Sequence, residues 1–180
     1  KNTKVYGSAT ISKTASYGNP DIYVSGIIGA CYADGKGGTI TISDSKVTDS
    51  NITGIGNERI EVYVGGVLGT QTWIGSANIT NCYVVRSKLT SSVDSTTDVP
   101  RTVDGKQSDL GARVGGIVGT YQDKNSKVSL NVSYSAVIDC ELSAYCSTKI
   151  EGGNTYTVAG IIHGNSTKNT STINCYTNSV

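Results

Sequence analysis

The chain has 180 residues, with 15 basic and 14 acidic side chains and a formal net charge of +1. This balance gives no basic surface that would attract nucleic acid, and no apolar run reaches the length of a membrane span. Isoleucine and valine far outnumber leucine, and phenylalanine and methionine are absent. Because branching at Cβ favours extended strands, the composition predicts an almost all-β protein.

Residues 1–20 are expected to be the tail of a preceding repeat that ends at the turn Gly18-Asn19-Pro20. Four repeats are predicted after it, at residues 21–59, 60–112, 113–154 and 155–180. The chain starts without methionine and stops inside a repeated motif. We therefore expect it to be a segment of a longer protein.

Each repeat carries a short hydrophobic hexad with a central glycine. The copies are Val24-Ser25-Gly26-Ile27-Ile28-Gly29, Val64-Gly65-Gly66-Val67-Leu68-Gly69, Val114-Gly115-Gly116-Ile117-Val118-Gly119 and Val158-Ala159-Gly160-Ile161-Ile162-His163-Gly164. The fourth copy is weaker, and we interpret it as having one extra residue before its last glycine. The hexads recur every 40 to 50 residues or so, a period typical of stacked repeats.

A second motif follows each hexad, starting at Ile42, Ile79, Val132 and Ile173. Apolar residues hold its first, sixth and last places in the three complete copies. Two linked motifs that repeat together predict a single all-β segment with a parallel β-solenoid (β-helix) fold. The sequence leaves open whether each repeat forms one coil or two. Ladders of isoleucine and valine predict a narrow core without large aromatic rings.

Residues 90–111 contain few apolar side chains and are expected to form a loop inserted into the second repeat. In repeat proteins such insertions cluster on one face, which is often the binding face. Its acidic residues lack the spacing of EF-hand loops or of calcium-binding nonapeptides, so a solvated loop is favoured over a calcium site. These residues are Asp94, Asp98, Asp104 and Asp109.

The Val-Gly-Gly-Ile-Val-Gly hexad, with a following Ile-x-Asn-Cys-Tyr-Val segment, resembles the GLUG motif. That motif occurs in repeat regions of large bacterial surface proteins, including non-catalytic parts of IgA-specific metallopeptidases. The resemblance covers residues 21–180, is strongest at residues 64–69 and 114–119, and is broken at Ser25 and Ala159. It implies a cell-surface β-solenoid segment, with no catalytic residues to carry over.

The five cysteines are odd in number, and none has the Cys-x-x-Cys spacing of a zinc site. Cys82 and Cys175, each in an Asn-Cys-Tyr triplet, are expected to be small buried residues in equivalent places. Cys140 and Cys146 could pair across a turn, which the sequence leaves open. The only histidine, His163, lacks a nearby Gly-x-Ser-x-Gly nucleophile motif and is expected to be structural or simply a surface residue.

Some parallel β-helices cleave polysaccharides with acidic residues placed in one column on adjacent coils. If the repeats stack directly, the column that holds Asp49 continues as Arg86, Asp139 and Asn178. Alternating charges in a column favour a solvated ion ladder, whereas acid–base cleavage of a glycosidic bond requires two facing carboxylates.

Three aromatic residues are the candidate ligand-binding residues. Tyr32, Trp73 and Tyr121 lie two to four residues or so beyond the last glycine of their hexads. If those turns lie on one edge, the rings would form a row that could stack on sugar rings or pack against a protein. The alternative is that they only cover the turn.

The sequence therefore predicts a secreted or cell-surface bacterial segment that acts as an adhesin or stalk and is not an enzyme. The expected partners are host glycoprotein, polysaccharide, or neighbouring copies joined through the solenoid ends. No cofactor, metal, nucleic acid or membrane insertion is expected. The alternatives are a carbohydrate-active β-helix enzyme and a purely structural spacer.

Overall fold

The computed structural model of the protein describes residues 21–32, 38–57, 61–72, 75–94, 102–103, 106–107, 111–122, 129–146, 156–163 and 170–179. These parts of the chain form β-strands, and no helix occurs among them. The prediction of an all-β protein is confirmed.

The strands follow the repeats. Repeat 1 contains β1 (Asp21–Ser25), β2 (Ile28–Tyr32), β3 (Thr39–Ser43), β4 (Lys46–Thr48) and β5 (Asn51–Asn57). Repeat 2 contains β6 (Glu61–Gly65), β7 (Leu68–Thr72), β8 (Ser76–Thr80), β9 (Tyr83–Val85) and β10 (Lys88–Asp94). A short pair, β11 (Thr102–Val103) and β12 (Lys106–Gln107), precedes repeat 3. Repeat 3 contains β13 (Gly111–Gly115), β14 (Val118–Gln122), β15 (Ser129–Ser133), β16 (Ala136–Ile138) and β17 (Glu141–Cys146). Repeat 4 contains β18 (Tyr156–Ala159), β19 (Thr170–Ile173) and β20 (Tyr176–Thr177).

Corresponding strands of successive repeats pair in parallel and form five sheets. The first sheet has the order β1-β6-β13-β18, the second β2-β7-β14, the third β3-β8-β15-β19, the fourth β4-β9-β16-β20 and the fifth β5-β10-β17. A parallel bridge between Val118 and Ile162 extends the second sheet to repeat 4. Each repeat thus contributes one strand to a sheet, so the repeats pair as single units rather than as two smaller ones.

The third sheet buries one face, as the alternation in the sequence predicts. Ile42, Ile79 and Val132 point into the core. Thr41 and Asn131, which lie two strands apart in one column, point outward. Successive residues of a strand face opposite sides of the sheet. Because the strands pair in register, the outward residues of neighbouring repeats line up in straight columns. This sheet therefore presents hydroxyl and amide groups to solvent in repeats 1 to 3. In repeat 4 the exposed Ile173 lies opposite Ser133, so the fourth copy of the second motif starts at Thr172 rather than at Ile173.

At its centre the first sheet is buried on both faces, and all five residues of β6 are inaccessible to solvent or nearly so. The fifth sheet covers one side, where a Cβ placed on Gly54 would lie 2.6 Å from Val62 Cγ1. The second sheet covers the other side, where a Cβ on Gly65 would lie 2.0 Å from the Leu68 carbonyl oxygen. Glycine is needed because the backbones approach each other more closely than a side chain allows.

The central glycines of the hexads form one column at the turn between the first and second sheets. A Cβ on Gly66 would lie 2.2 Å from the Gly116 oxygen and 2.5 Å from Val84 Cγ2. The Gly66 oxygen in turn accepts a 3.1 Å hydrogen bond from the Gly26 amide of the previous repeat. The hexad is therefore a turn stacked on copies of itself, with the fourth sheet packed against it.

The core contains large rings, contrary to the expectation of a narrow aliphatic interior. Tyr63 and Tyr121 are both fully buried. The column that holds Tyr121 continues as Gln71 and Cys31 in the preceding repeats. Because the column varies in size from repeat to repeat, a ring in one repeat is accommodated beside smaller side chains in the others. The isoleucine and valine ladders did not reveal this variation.

The second repeat continues further into the predicted insertion than expected. Strand β10 runs to Asp94 in register with β5 and β17, so the first residues of the segment 90–111 are part of the fifth sheet. Ser91 is fully buried there, and its hydroxyl is satisfied by donating a hydrogen bond to the Val62 oxygen at 2.9 Å. Strands β11 and β12 pair antiparallel within the segment, and β13 begins at Gly111 rather than at residue 113. Asp98, Asp104 and Asp109 lie outside the described residues.

Repeats 1 to 3 each turn two corners with residues in the left-handed region of backbone conformation, and repeat 4 turns the first corner in the same way. The first corner, between the third and fourth sheets, holds Asp44, Asn81, Tyr134 and Asn174, with φ of 52°, 55°, 49° and 51°. The second corner, between the fourth and fifth sheets, holds Asp49, Arg86 and Asp139, with φ of 51°, 46° and 53°. Asparagine and aspartate tolerate this conformation better than other non-glycine residues.

A serine or cysteine follows every corner residue. Its side chain donates to a carbonyl oxygen two residues back, as from Ser87 to Val85 at 2.9 Å and from Cys82 to Thr80 at 3.4 Å. The same side chain also accepts a hydrogen bond from a backbone amide of the preceding repeat, as Ser87 does from the Ser50 amide at 3.2 Å. Cys82 and Cys175 do occupy equivalent places, although Cys175 in the last repeat is only partly buried.

Candidate functional site

Of the three aromatic candidates, Tyr121 is the one whose side chain the structure describes, and it does not lie on an exposed edge. Tyr121 is fully buried, so its ring lies in the core and does not face a ligand. Its register partners are Gln71 and Cys31, whereas the backbone of Tyr32 lies opposite Thr72. Trp73 lies outside the described residues. The buried position of Tyr121 does not meet the condition for an exposed row of rings, because a spacing from the hexad does not determine which face of the second sheet a side chain occupies.

Exposed tyrosines do follow one edge of the structure, at the first corner. Tyr134 and Tyr176 each expose 57% of their surface, and Tyr83 is partly buried. Tyr83 and Tyr176 occupy the same column of the fourth sheet, separated by the small side chain of Ala136. Tyr134 lies two residues before Ala136 in the intervening repeat. We name Tyr83, Tyr134 and Tyr176 the tyrosine edge, which gives one ring to each of repeats 2, 3 and 4.

Tyr134 occupies a backbone conformation that is costly for its residue type. Its φ is 49°, while its equivalents in the other repeats are Asp44, Asn81 and Asn174. A bulky side chain in the left-handed region costs on the order of 1 to 2 kcal/mol, and such outliers concentrate at functional sites. The strain at Tyr134 is therefore an independent reason to examine this edge for a function.

Local hydrogen bonds hold the groups around the tyrosine edge. The Tyr83 hydroxyl donates to Asn81 Oδ1 at 2.8 Å, and Asn81 Nδ2 donates to Asp44 Oδ1 at 2.6 Å. The ring of Tyr83 is thus oriented by the corner residue of its own repeat, which is itself fixed by the preceding repeat. A ring that is already ordered loses less conformational entropy when it binds a ligand.

The outward face of the third sheet adjoins this edge and is made of hydroxyl and amide groups. Hydrogen bonds link these groups along the columns, between Ser76 and Ser129 at 2.9 Å and between Thr80 and Ser133 at 3.1 Å. In the middle column, Asn131 Nδ2 donates to Asn78 Oδ1 at 3.0 Å, and the Ser171 hydroxyl donates to Asn131 Oδ1 at 2.7 Å. We name this surface the polar face; its outward residues in repeats 2 and 3 are Ser76, Asn78, Thr80, Ser129, Asn131 and Ser133.

A buried ion cluster links the first strands of successive repeats. Glu61 accepts a hydrogen bond from its neighbour Tyr63 at 2.5 Å and forms an ion pair with Arg113 of the next repeat. The Arg113 guanidinium also donates to the Tyr63 hydroxyl at 2.8 Å and lies 5.2 Å from the centre of its ring. Tyr23 stacks on Tyr63 with ring centres 5.4 Å apart.

Burial lowers the pKa of the Arg113 guanidinium, and the charge of Asp21 opposes that shift. Because Tyr63 is fully buried and Glu61 nearly so, a polymeric substrate has no access to this pair in the structure. The cluster joins repeats 1, 2 and 3 and is best explained as a structural element. The sequence signal for it was the Asp-x-Tyr and Glu-x-Tyr spacing just before two hexads, which our sequence analysis missed.

The column that begins with Asp49 forms as predicted. Arg86 Nε lies 2.7 Å from Asp49 Oδ1, and Asn178 Nδ2 donates to Asp139 Oδ1 at 2.9 Å. The hydrogen bond from Arg86 lowers the pKa of the Asp49 carboxyl. Because these acids bind a cation or an amide, they do not form the facing carboxylates that acid–base cleavage of a glycoside requires.

His163 occupies the position of a glycine rather than an extra position in the fourth hexad. Because Ile162 pairs with Val118, the next residue His163 falls opposite Gly119, and its amide donates to the Val118 oxygen at 3.0 Å. Its Nε2 lies 2.6 Å from the Thr157 hydroxyl oxygen. Burial and, to a smaller extent, the charge of Arg113 lower the pKa of His163 to about 4.

None of the five cysteines forms a disulfide, so Cys140 and Cys146 do not pair across a turn. Burial raises the pKa of Cys31, Cys82 and Cys140, which disfavours the reactive thiolate. In the part of the chain that the structure describes, no three histidine, cysteine or acidic side chains come together as a metal site would require.

None of the described residues forms a helix of the length and apolar character that crossing a bilayer takes. Comparison of the chain with protein-family models found no match, and searches of curated proteins and of solved structures found none either. The features of this chain that bear on its function are its repeats, the tyrosine edge and the polar face.

Proposed function

We propose that the chain is a β-solenoid segment, similar to the GLUG repeat regions of bacterial surface proteins, that serves as a non-catalytic adhesin or stalk. Its site of action is secreted or cell-surface, and it presents a binding edge to host glycoprotein, polysaccharide or neighbouring copies. The observation that carries this proposal is the tyrosine edge: one partly buried and two exposed rings, one in each of repeats 2, 3 and 4, on or beside a single column of the fourth sheet.

The parallel pairing supports the structural half of this proposal. Every sheet joins one repeat to the next in register, so each added repeat extends the stack by about 4.8 Å, the distance between strands. Such a stack is stiff because each repeat is fixed by its neighbours through several sheets at once. A stiff array of repeats suits a segment that holds a binding surface at a distance from the point where the protein is attached.

The engagement of the acidic side chains supports the non-catalytic half. Glu61 pairs with Arg113, Asp49 with Arg86, and Glu141 with Lys88 at 2.6 Å. A general acid or base in glycoside cleavage must reach the glycosidic oxygen or a water beside it. These carboxylates are instead occupied by cations of the adjacent repeat.

A binding and turnover assay on the soluble chain tests this function. The immobilised protein would be exposed to neutral and acidic polysaccharides, to mucin and to a second, labelled copy of itself, with released fragments measured by mass spectrometry. We expect saturable binding to at least one of these without any fragment release. Release of sugar fragments would replace the proposal with an enzyme, and the absence of all binding would replace it with a spacer.

A further inference from the structure

The tyrosine edge and the polar face beside it are uncharged throughout repeats 2, 3 and 4. The first-corner residues there are Asn81, Tyr134 and Asn174, and the column that follows holds Tyr83, Ala136 and Tyr176. The charged equivalents, Asp44 and Lys46, lie in repeat 1 only. This surface offers an anionic polymer no positively charged group to pair with. A neutral ligand carries no charge whose removal from water would cost free energy.

The polar face is arranged before any ligand arrives. Hydrogen bonds along its columns fix the rotamers of Asn78 and Asn131, and those of the serine and threonine pairs on either side. A side-chain amide has two hydrogen-bond donors and two acceptor sites, and a hydroxyl has one donor and two acceptor sites. Each group can therefore form further hydrogen bonds besides those along the columns. The face therefore offers ordered donors and acceptors of the kind that sugar hydroxyl groups pair with.

The rings lie along the stack rather than across it. Tyr83 and Tyr176 share a column two strand spacings apart, or about 10 Å, with Tyr134 supplied by the repeat between them. A ligand that contacts all three rings must extend along the direction in which the repeats are stacked. This geometry fits a linear polymer better than a compact molecule.

The strain at Tyr134 separates a binding role from a structural one. Asparagine occupies the equivalent corner in repeats 2 and 4 with nearly the same φ, 55° and 51°. If the corner served only the fold, asparagine would serve better in repeat 3 as well, because it tolerates the left-handed conformation. The ring is exposed, so burial does not compensate the strain.

From these observations we infer that the tyrosine edge and the polar face together bind an extended neutral polysaccharide, which lies along the stack on the rings of Tyr83, Tyr134 and Tyr176. The inference rests on the proposed function and names the ligand class of that same site. The rings contribute flat apolar surface for the faces of the sugar units. The hydroxyl and amide columns beside them take the sugar hydroxyl groups.

The test uses amorphous cellulose and chitin particles as neutral probes and polygalacturonate, mucin and the chain itself, each coupled to beads, as comparators, with depletion of protein from solution as the readout. The variant Tyr134→Asn removes the central ring and installs the residue that the equivalent corners use. We expect it to lose about tenfold in affinity for a neutral probe, as for a central aromatic contact worth about 1.4 kcal/mol, with an unchanged or higher melting temperature. Arg86→Asn is the matched control, since Arg86 is an exposed positive-φ residue at the second corner.

The control variant should bind the neutral probe as the unmodified chain does. The inference is overturned if Tyr134→Asn binds the neutral probe at full strength, or if the unmodified chain binds polygalacturonate, mucin or itself but neither neutral probe. In both cases the proposed function survives, because a partner still binds. If the chain binds none of these probes, the proposed function fails with the inference.

Discussion

In the first sheet every residue of β6 is buried, whereas in the third sheet only alternate residues of β8 and β15 are buried. Both sheets use the same in-register parallel pairing between the same repeats. The difference lies in their neighbours, because the first sheet has another sheet on each side and the third sheet faces solvent. The hexad region is thus constrained by packing, and the outward side of the third sheet is available for binding.

This contrast accounts for the two chemistries of the repeat. Where backbones approach within side-chain distance, the sequence uses glycine, as at Gly66 and Gly116. Where a column faces water, it uses serine, threonine and asparagine, which satisfy one another along the column. Substitutions in the first region should affect stability most, and substitutions in the second should affect binding most.

The largest effect is expected at the central hexad glycine. In Gly66→Ala the new Cβ would lie 2.2 Å from the Gly116 oxygen, a backbone atom that cannot rotate away. We expect a loss of more than about 3 kcal/mol in the free energy of unfolding, enough to leave much of the chain unfolded, measured by chemical denaturation.

Gly29→Ala provides a graded control in the same motif, because its Cβ would meet only the Tyr23 oxygen, at 3.3 Å. This variant should be destabilised clearly less. Equal stability of Gly66→Ala and the unmodified chain would show that the two regions do not differ as proposed.

The buried ion cluster should give the next largest effect. Glu61→Gln removes the charge that Arg113 pairs with and leaves a guanidinium with 19% of its side chain exposed. Removing one partner of a buried pair costs on the order of 3 kcal/mol, because the remaining charge is uncompensated.

The matched variant is Asp49→Asn, which breaks the exposed pair with Arg86. Exposed pairs contribute little, so its unfolding curve should overlay that of the unmodified chain. Similar losses for the two variants would mean that burial does not distinguish these pairs.

Acid should weaken repeat 4 through His163. Its pKa falls from 6.5 to about 4 on folding, so the folded state favours the neutral ring. The stability that depends on the neutral ring is complete above about pH 6.5 and is lost progressively as the pH falls toward 4. Between pH 7 and 5 we expect a loss of about 1 kcal/mol, after allowance for partial exposure of the ring.

Melting temperatures at pH 7 and pH 5 check this expectation, with His163→Gln as the comparison. The variant should lose less stability than the unmodified chain over the same interval, because glutamine does not titrate. An identical loss in both proteins would assign the pH dependence to other groups.

The smallest effect is expected at Arg86. In Arg86→Asn the exposed ion pair is lost, while a residue better suited to φ of 46° is gained. We expect a change in melting temperature close to zero in low salt and a slight gain in high salt, where the ion pair of the unmodified chain is screened. A large loss in high salt would contradict this view of the second corner.

The sequence predicted the strand composition and the repeat spacing, but it left open whether each repeat stacks as one unit or as two, which the pairing of the strands decides. It predicted that Asp49 and Arg86 share a column, because residues at the same spacing from a repeated apolar motif lie opposite each other when the repeats pair in parallel and in register. It also placed Cys82 and Cys175 in equivalent positions. These are local properties that repeat along the chain.

The candidate site was harder to predict, for a physical reason. Tyr121 and Tyr134 are both tyrosines near a repeated motif, but one is fully buried and the other is exposed. What separates them is the second layer of sheet that covers the hexad strands, and no single repeat contains that information. The positive φ of Tyr134 is likewise visible only in the folded chain.

The hydrogen bonds of all five parallel sheets run from one repeat to the next, and this determines how the molecule responds to tension. A force that pulls the two ends apart along the stack acts along these bonds, and it loads them nearly one repeat at a time. The terminal repeat should therefore detach first and release on the order of 150 Å of extended chain before the next one yields. A tether of this kind would absorb a sudden load in steps and keep the remaining repeats folded.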